Sequence, residues 1–311
     1  MLIGVGHIPA ESDSTRRLRG GDLRRLAGVR GVDAWFGGHS HNLVLDSMNG
    51  IPFAIAGSHG TTVAVCDLVV DPEKHQVVER HCDLRTVYVD EGIDSLMQAR
   101  VERWNAGVAP IANQRLGTNL RPLTLNRGGE STVGDFVCDA IREASGADIA
   151  MQNSGGLRAD LPGGPVTRGS IYEVMPFDNT VFMLELTGAE VKLALEQALR
   201  TGRVTQVSGI RYAFDPESPP LKRIRLLATP DGKPLDDNKL YRVAVNDFMA
   251  TGGDEYAVLR DGQSRRALDL LVRDALERQV MKLAQGGKSL DYQPTGRIER
   301  LGAAVPAGRG D

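Results

Sequence analysis

Apolar and polar residues alternate along this chain in two different rhythms, and the change between them falls near residue 90. Before it, short apolar runs dominate: Leu2-Ile3-Gly4-Val5, Val32-Asp33-Ala34-Trp35-Phe36, then runs at 52–56, 62–70 and 84–89. They are split by Asn49-Gly50, Gly57 and Asp71-Pro72, so the pattern predicts strands joined by tight turns, the first of them buried. Residues 11–25 are polar and basic, and Leu18, Leu23 and Leu26 are too loosely spaced to define a helix. From Asp90 to about Asn113 the period lengthens, with Ile93, Met97, Val101 and Trp104 at steps of four, four and three, which predicts a connecting helix.

Beyond it, helices and strands alternate. Val133, Phe136, Val137, Ala140, Ile141 and Ala144 form one helical stripe, and Asp148 to Gln152 reads as the strand that follows. Val181 to Leu186 reads as another strand. Thr187-Gly188-Ala189-Glu190 has the form of a capping box ahead of a helix with Val191, Leu195, Ala198 and Leu199 inward. Strands are expected near 207–214, 222–228 and 240–246, then a helix using Leu268, Leu271, Val272, Ala275, Leu276 and Val280. The Gly/Ala/Pro-rich stretch 301–311 reads as a mobile tail.

Composition narrows the class. A net charge of −3 with 25% charged residues offers no electrostatic case for a nucleic acid polymer, and the apolar runs fall far short of the roughly 18 residues of a membrane span. No basic start followed by an apolar segment marks an export signal in the first 20 residues. Cys66, Cys82 and Cys138 are odd in number and match no zinc spacing, so they read as buried free thiols.

Candidate chemistry sits in two places. All six histidines (His7, His39, His41, His59, His75, His81) precede residue 82. His59, His75 and His81 read as packed or solvated. In Gly37-Gly38-His39-Ser40-His41 the glycine lead-in lets the backbone turn both imidazoles to one side, where His7, at a strand end, can join them as metal ligands. In the second region Arg127, Asn153, Gly155, Arg158, Phe177, Phe248 and Asp254 supply oxyanion forks, a carboxamide, close backbone approach, two π faces and a carboxylate. Asn246-Asp247-Phe248 followed by Gly252-Gly253-Asp254 interrupts any strand or helix period and reads as a loop shaped for a ligand.

These residues resemble the two-domain 5'-nucleotidases. The resemblance rests on Arg127 with Glu130 and Gly134-Asp135-Phe136, on Asn153-Ser154-Gly155-Gly156-Leu157-Arg158, and on Pro176-Phe177-Asp178-Asn179. It continues through Asn246-Asp247-Phe248 with Gly252-Gly253-Asp254 to Gly296-Arg297-Ile298. It implies a mixed α/β fold: a partial calcineurin-like metallophosphatase sandwich (1–89), the connecting helix (90–113) and a nucleotide-binding C-terminal domain (114–300). The implied reaction is metal-dependent hydrolysis of nucleoside 5'-monophosphates, with nucleotide sugars as a further substrate class. The alternatives are a non-catalytic nucleotide-binding module, a 2',3'-cyclic phosphodiesterase or a thiosulfohydrolase. On this resemblance Phe177 and Phe248 sandwich the base, Asp254 accepts from ribose hydroxyls, Arg127 and Arg158 hold phosphate or the sugar edge, and Asn153 completes the pocket. His7, His39 and His41 would be ligands of two divalent ions, zinc, manganese or similar. The family's remaining ligands, in Asp-x-His and Asn-His segments, find no match in the 311 residues. The expectation is therefore a missing upstream segment and weak or absent activity of this chain alone, with no catalytic residue assigned. The family's usual setting is periplasmic or extracellular.

Overall fold

The computed structural model describes residues 1–88 and 92–302. The expected start of the connecting helix at Asp90 and the part of the expected tail from 303 onward lie outside the described residues. The fold is mixed α/β, in two compact units, Met1–Val101 and Glu102–Asp311, with the helix Ser95–Ala112 running across the division.

In the first unit, strands Ile3–Val5, Ala34–Phe36 and Ile51–Ala56 are parallel neighbours, and Leu43–Met48 closes the sheet antiparallel to Ile51–Ala56. Asn49 and Gly50 both have positive φ (54° and 75°), the conformation a two-residue hairpin turn needs. Leu18, Leu23, Val44, Phe53 and Ile55 form its core. Ile3–Val5 is an edge strand with one neighbour, so the buried strand expected there is corrected: Val5 is 77% exposed. Residues 11–25 form two short strands and a single helical turn, Asp22–Arg25.

Thr62–Asp71 and Gln76–Thr86 make a long antiparallel hairpin, so the second strand starts well before the expected residue 84. Its polar residues obscure it because most of its side chains are exposed. The pairing sets Cys66 directly opposite Cys82, and the two form a disulfide. That overturns the reading of three free thiols. A spacing of 16 residues carries no signal until a hairpin folds it into a cross-strand pair. Cys138 alone is free and buried.

The second unit is built on a five-stranded sheet in the order Thr205–Ser208, Ile149–Asn153, Leu240–Asn246, Thr180–Thr187, Gln263–Leu271. Ile149–Asn153 and Leu240–Asn246 run parallel, and the other pairings are antiparallel. Both faces are covered. Ala150, Ala244 and Met183 point into a core with helices Thr132–Ser145 and Val272–Gln285, while Met151, Val243, Val245 and Leu184 point into a second core with helix Gly188–Arg200. Alternate residues of one strand thus serve different cores, which is why these strands read as nearly continuous apolar runs.

The predicted Thr187/Glu190 capping box is complete, and Ser131 Oγ, a cap the periodicity did not single out, accepts from Gly134 N at the start of Thr132–Ser145. Two expectations need correcting. Leu268 and Leu271 belong to strand Gln263–Leu271, which pairs with Thr180–Thr187, and the helix starts only at Val272. The expected strand 207–214 is two strands, Thr205–Ser208 and Arg211–Phe214. Gly209 separates them at φ 84°, where a Cβ would lie 2.2 Å from the Asp148 carbonyl oxygen, so only glycine makes this bend.

Candidate functional site

Strands Ile149–Asn153 and Leu240–Asn246 are parallel neighbours and both end in asparagine, so two carboxamides meet at one end of the sheet. Asn246 Nδ2 donates to Asn153 Oδ1 (3.0 Å) and to Gln152 Oε1 (3.1 Å), and Gln152 Nε2 donates to Asn153 Oδ1 (2.9 Å). With its oxygen saturated, Asn153 is locked in one orientation. Its Nδ2 donates to Asp254 Oδ2 at 2.8 Å. Asp254 has φ 53°, a left-handed conformation uncommon for a side-chain-bearing residue, and its other oxygen pairs with Arg203. Crevices beyond the carboxyl ends of parallel strands are recurrent ligand sites in α/β sheets.

The loop after Asn153 frames this network with guanidinium groups. Arg127 reaches it from a separate loop, donating to the carbonyl oxygens of Ser154 and Leu157 (3.3 Å each), while Arg158 donates to that of Gly155 (3.3 Å). Burial, then the nearby charges of Arg158 and Arg203, pushes the Arg127 pKa down. Three like charges gathered around one carboxylate, Asp254, make an electropositive seat for an anion. A Cβ at Gly156 would fall 2.4 Å from Gln152 Nε2, so a larger residue there would push the Gln152 amide off Asn153.

Two rings border this seat. Phe177 is 43% and Phe248 45% exposed, unusual for phenylalanine in a unit with two packed cores. The Arg158 guanidinium lies 5.9 Å from the Phe177 ring centroid. The carbonyl oxygen of Phe177 accepts from Arg273 Nη1 (2.7 Å), which also fixes this loop to the helix Val272–Gln285. Phe248 rests over Gly253, where a Cβ would come within 2.5 Å of the ring. Asn179 Nδ2 donates to Asp247 Oδ1 (2.5 Å), tying the two aromatic loops together. The segment expected to be a ligand-shaped loop instead begins as a short helix, Asp247–Ala250, because Asn246 Oδ1 accepts from Met249 N (2.8 Å) and caps it.

The structure therefore joins Asn153 to Asp254 by a hydrogen bond, sets Arg158 on Gly155 and Arg127 on Ser154 and Leu157 in the adjoining loop, and carries Phe177 and Phe248 on linked loops. Sequence reasoning missed Arg203 and Arg273. Each stands at a helix end or in a helix first turn with no motif around it, and only the tertiary fold directs it here. Glu130, carried by the same motif as Arg127, serves elsewhere. Its carboxylate accepts from the backbone N–H groups of Thr295, Gly296 and Arg297 at 2.7–3.0 Å, latching the last strand.

Of the three histidines expected as ligands, the structure brings two into contact. His39 Nδ1 and His7 Nε2 lie 2.9 Å apart in a hydrogen bond, whereas the His41 ring lies edge-on to His59 with centroids 6.1 Å apart. His59, read as packed or solvated, is thus a partner of His41. Among the described residues no three His, Cys, Asp or Glu side chains are grouped to hold an ion. Two imidazoles hydrogen-bonded to each other, without a bridging carboxylate, do not provide the donor set of a two-metal centre.

Residues 109–261 match the family profile "5'-nucleotidase, C-terminal domain". The chain is 31% identical over 305 residues to a trifunctional nucleotide phosphoesterase of Bacillus subtilis, covering 90% of this chain and 20% of that protein. It is 26% identical to a snake venom 5'-nucleotidase of Macrovipera lebetinus, covering 83% of this chain and 76% of the relative. The crystal structure of a 5'-nucleotidase precursor from Thermus thermophilus superposes with a TM-score of 0.76 at 28% identity, over 91% of this chain and 62% of that one. The chain thus spans about a fifth of the first relative and under two thirds of the solved structure.

Proposed function

We propose, on the premise that residues 109–261 belong to the 5'-nucleotidase C-terminal domain family, that the second unit recognises the nucleotide in nucleoside 5'-monophosphate hydrolysis. The single observation carrying this reading is the network Asn153–Asp254–Arg203 lying among two further arginines and two exposed phenylalanines on linked loops. In this reading the base stacks on Phe177 and Phe248, whose faces accept any base, so stacking gives affinity with little base selectivity. Asp254, held by Asn153 and Arg203, accepts from the ribose hydroxyls. Arg127 and Arg158 face the phosphate or sugar edge, and Gly155 keeps the loop backbone accessible.

Divalent ions belong to this reading as the chemistry of the family, in which a metal pair supplies the attacking hydroxide and neutralises the phosphate. His7, His39 and His41 are imidazole donors of the kind zinc or manganese accepts, but as arranged here they do not form that centre. No step is assigned to them. An oxidising, extracytoplasmic setting is favoured by the Cys66–Cys82 disulfide and by the likeness to a venom enzyme.

The test is calorimetric titration of the chain with AMP and with adenosine, for the wild type and for Phe248→Ala. Loss of one stacking face is expected to weaken both ligands by about 1–3 kcal/mol. Unchanged affinity for both would refute the aromatic-plate assignment. Equal binding of AMP and adenosine would instead remove the arginines from phosphate recognition.

A further inference from the structure

At the opposite end of strand Ile149–Asn153 lies a second electropositive site that nucleotide recognition does not use. The antiparallel register pairs Asn153 with Thr205 and Ala150 with Ser208, so Ser208 stands three residues, about 10 Å, down the strand from Asn153. The bend at Gly209 then turns the chain and delivers Arg211 beside Ser208. A cavity of about 310 Å³ opens there, bordered by Arg142, Ser208, Arg211, Pro230 and Arg297 along with Asp139.

The charges in this cavity do not cancel. Asp139 is already engaged: Arg297 Nη1 and Nη2 donate to it at 2.7 and 2.9 Å, and Ser208 Oγ donates to the same carboxylate. Arg297 is correspondingly spent. Arg142 donates through Nε to Ser208 Oγ (2.7 Å) and makes no ion pair among the described residues, which leaves its terminal nitrogens open. Arg211 is barer still. Its Nε is sealed from solvent without an acceptor, and among the described residues its side chain has no hydrogen bond or ion pair. The terminal nitrogens of Arg211 are not sealed in this way and have no protein acceptor either, so an anion that enters the cavity meets them unpaired.

We propose that this cavity binds a phosphate group, held between the guanidinium groups of Arg142 and Arg211, independently of the aromatic site. A tetrahedral oxyanion suits two arginines approaching from different elements, the helix Thr132–Ser145 and the strand Arg211–Phe214, because its oxygens can accept from both forks at once. The group can be free phosphate or the end of a phosphomonoester.

The experiment follows the arginine Nε–Hε resonances of the full chain by heteronuclear NMR during titration with inorganic phosphate, with AMP, and with sodium chloride as an ionic-strength control. Saturable shifts of Arg142 and Arg211 with phosphate are expected, weakened at least tenfold in Arg211→Met, where Arg142 reports, and in Arg142→Met, where Arg211 reports. Shifts with AMP but not with inorganic phosphate would identify a phosphomonoester as the occupant. No saturable shift with either ligand, or shifts matched by chloride, would overturn the proposal. Adenosine affinity of both variants is expected to equal the wild type, which separates failure here from failure of the nucleotide reading.

Discussion

Asp135 offers the sharpest quantitative test of this fold. It sits in the first turn of helix Thr132–Ser145 and is fully buried, with Arg297, Glu130 and Asp139 as its charged neighbours. Arg297 Nε is 3.5 Å away, but the terminal nitrogens of that guanidinium are committed to Asp139. Burial pushes the Asp135 pKa up from 3.8 to about 8, with Arg297 opposing the rise and the charge of Glu130, its hydrogen bond to the protonated carboxyl and the charge of Asp139 adding to it. Between these two values the folded chain holds a proton that the unfolded chain has released. Folding then takes up one proton, and stability falls as pH rises through this window, by about 1.4 kcal/mol per pH unit. The loss begins above the unfolded pKa and ends above the folded one. Asp135→Asn has nothing to titrate, so its stability relative to the wild type is expected to improve by about 2.7 kcal/mol between pH 5 and pH 7. The comparison within one pair of proteins cancels the titration of groups that do not interact with Asp135, and the window from pH 5 to pH 7 lies above the ordinary range of Glu130 and Asp139, which do. Hydrogen exchange of the strand Ile149–Asn153, corrected for intrinsic rate, reads the stability of this unit separately from the other. A difference that stays constant from pH 5 to pH 7 would mean that Arg297 keeps Asp135 ionised, and the argument from burial would fail.

Two further outcomes follow from the geometry. Alkylation of the unreduced, denatured chain is expected to label one thiol, Cys138, and labelling after reduction to reach all three; three labelled thiols without reduction would refute the Cys66–Cys82 pair. Replacing both cysteines with serine is expected to cost about 3 kcal/mol, the loop-closure value for a span of this size, measured by urea unfolding of the hairpin unit. Gly253→Ala would put a methyl group where the Phe248 ring now lies, displacing an exposed ring without disturbing a core. Adenosine binding is therefore expected to weaken toward the level of Phe248→Ala while stability changes by less than about 1 kcal/mol, and unchanged binding would detach Phe248 from the site.

Much of the second unit is legible in its residues because the relevant signals are local. The stripe from Val133 to Ile141 and the Thr187/Glu190 box each act within a few residues, and the helices form where they predict. Asn153 and Asn246 end their strands, whereas the need for glycine at 209 comes from the Asp148 carbonyl oxygen, 61 positions away. Chemical types, a carboxamide, arginines and two phenylalanines in separate loops, single out a candidate region, and the order of the motifs around them carries the family resemblance.

What the tertiary structure decided are the pairings between distant residues. Nothing around Arg203 announces that it will reach Asp254, 51 positions away, and nothing around Glu130 announces that it will latch residues 295–297. Cys66 and Cys82 become partners only through hairpin register, and Leu268 joins a strand because a neighbour is available to pair with it. The histidines show the same limit, since His39 and His41 stand two residues apart yet meet different partners, His7 and His59. Periodicity and capping are governed by neighbours in the chain, so the sequence determined the elements and the kinds of chemistry they carry. Register, close approach and charge pairing are governed by neighbours in space, and they decided which of those groups form a site.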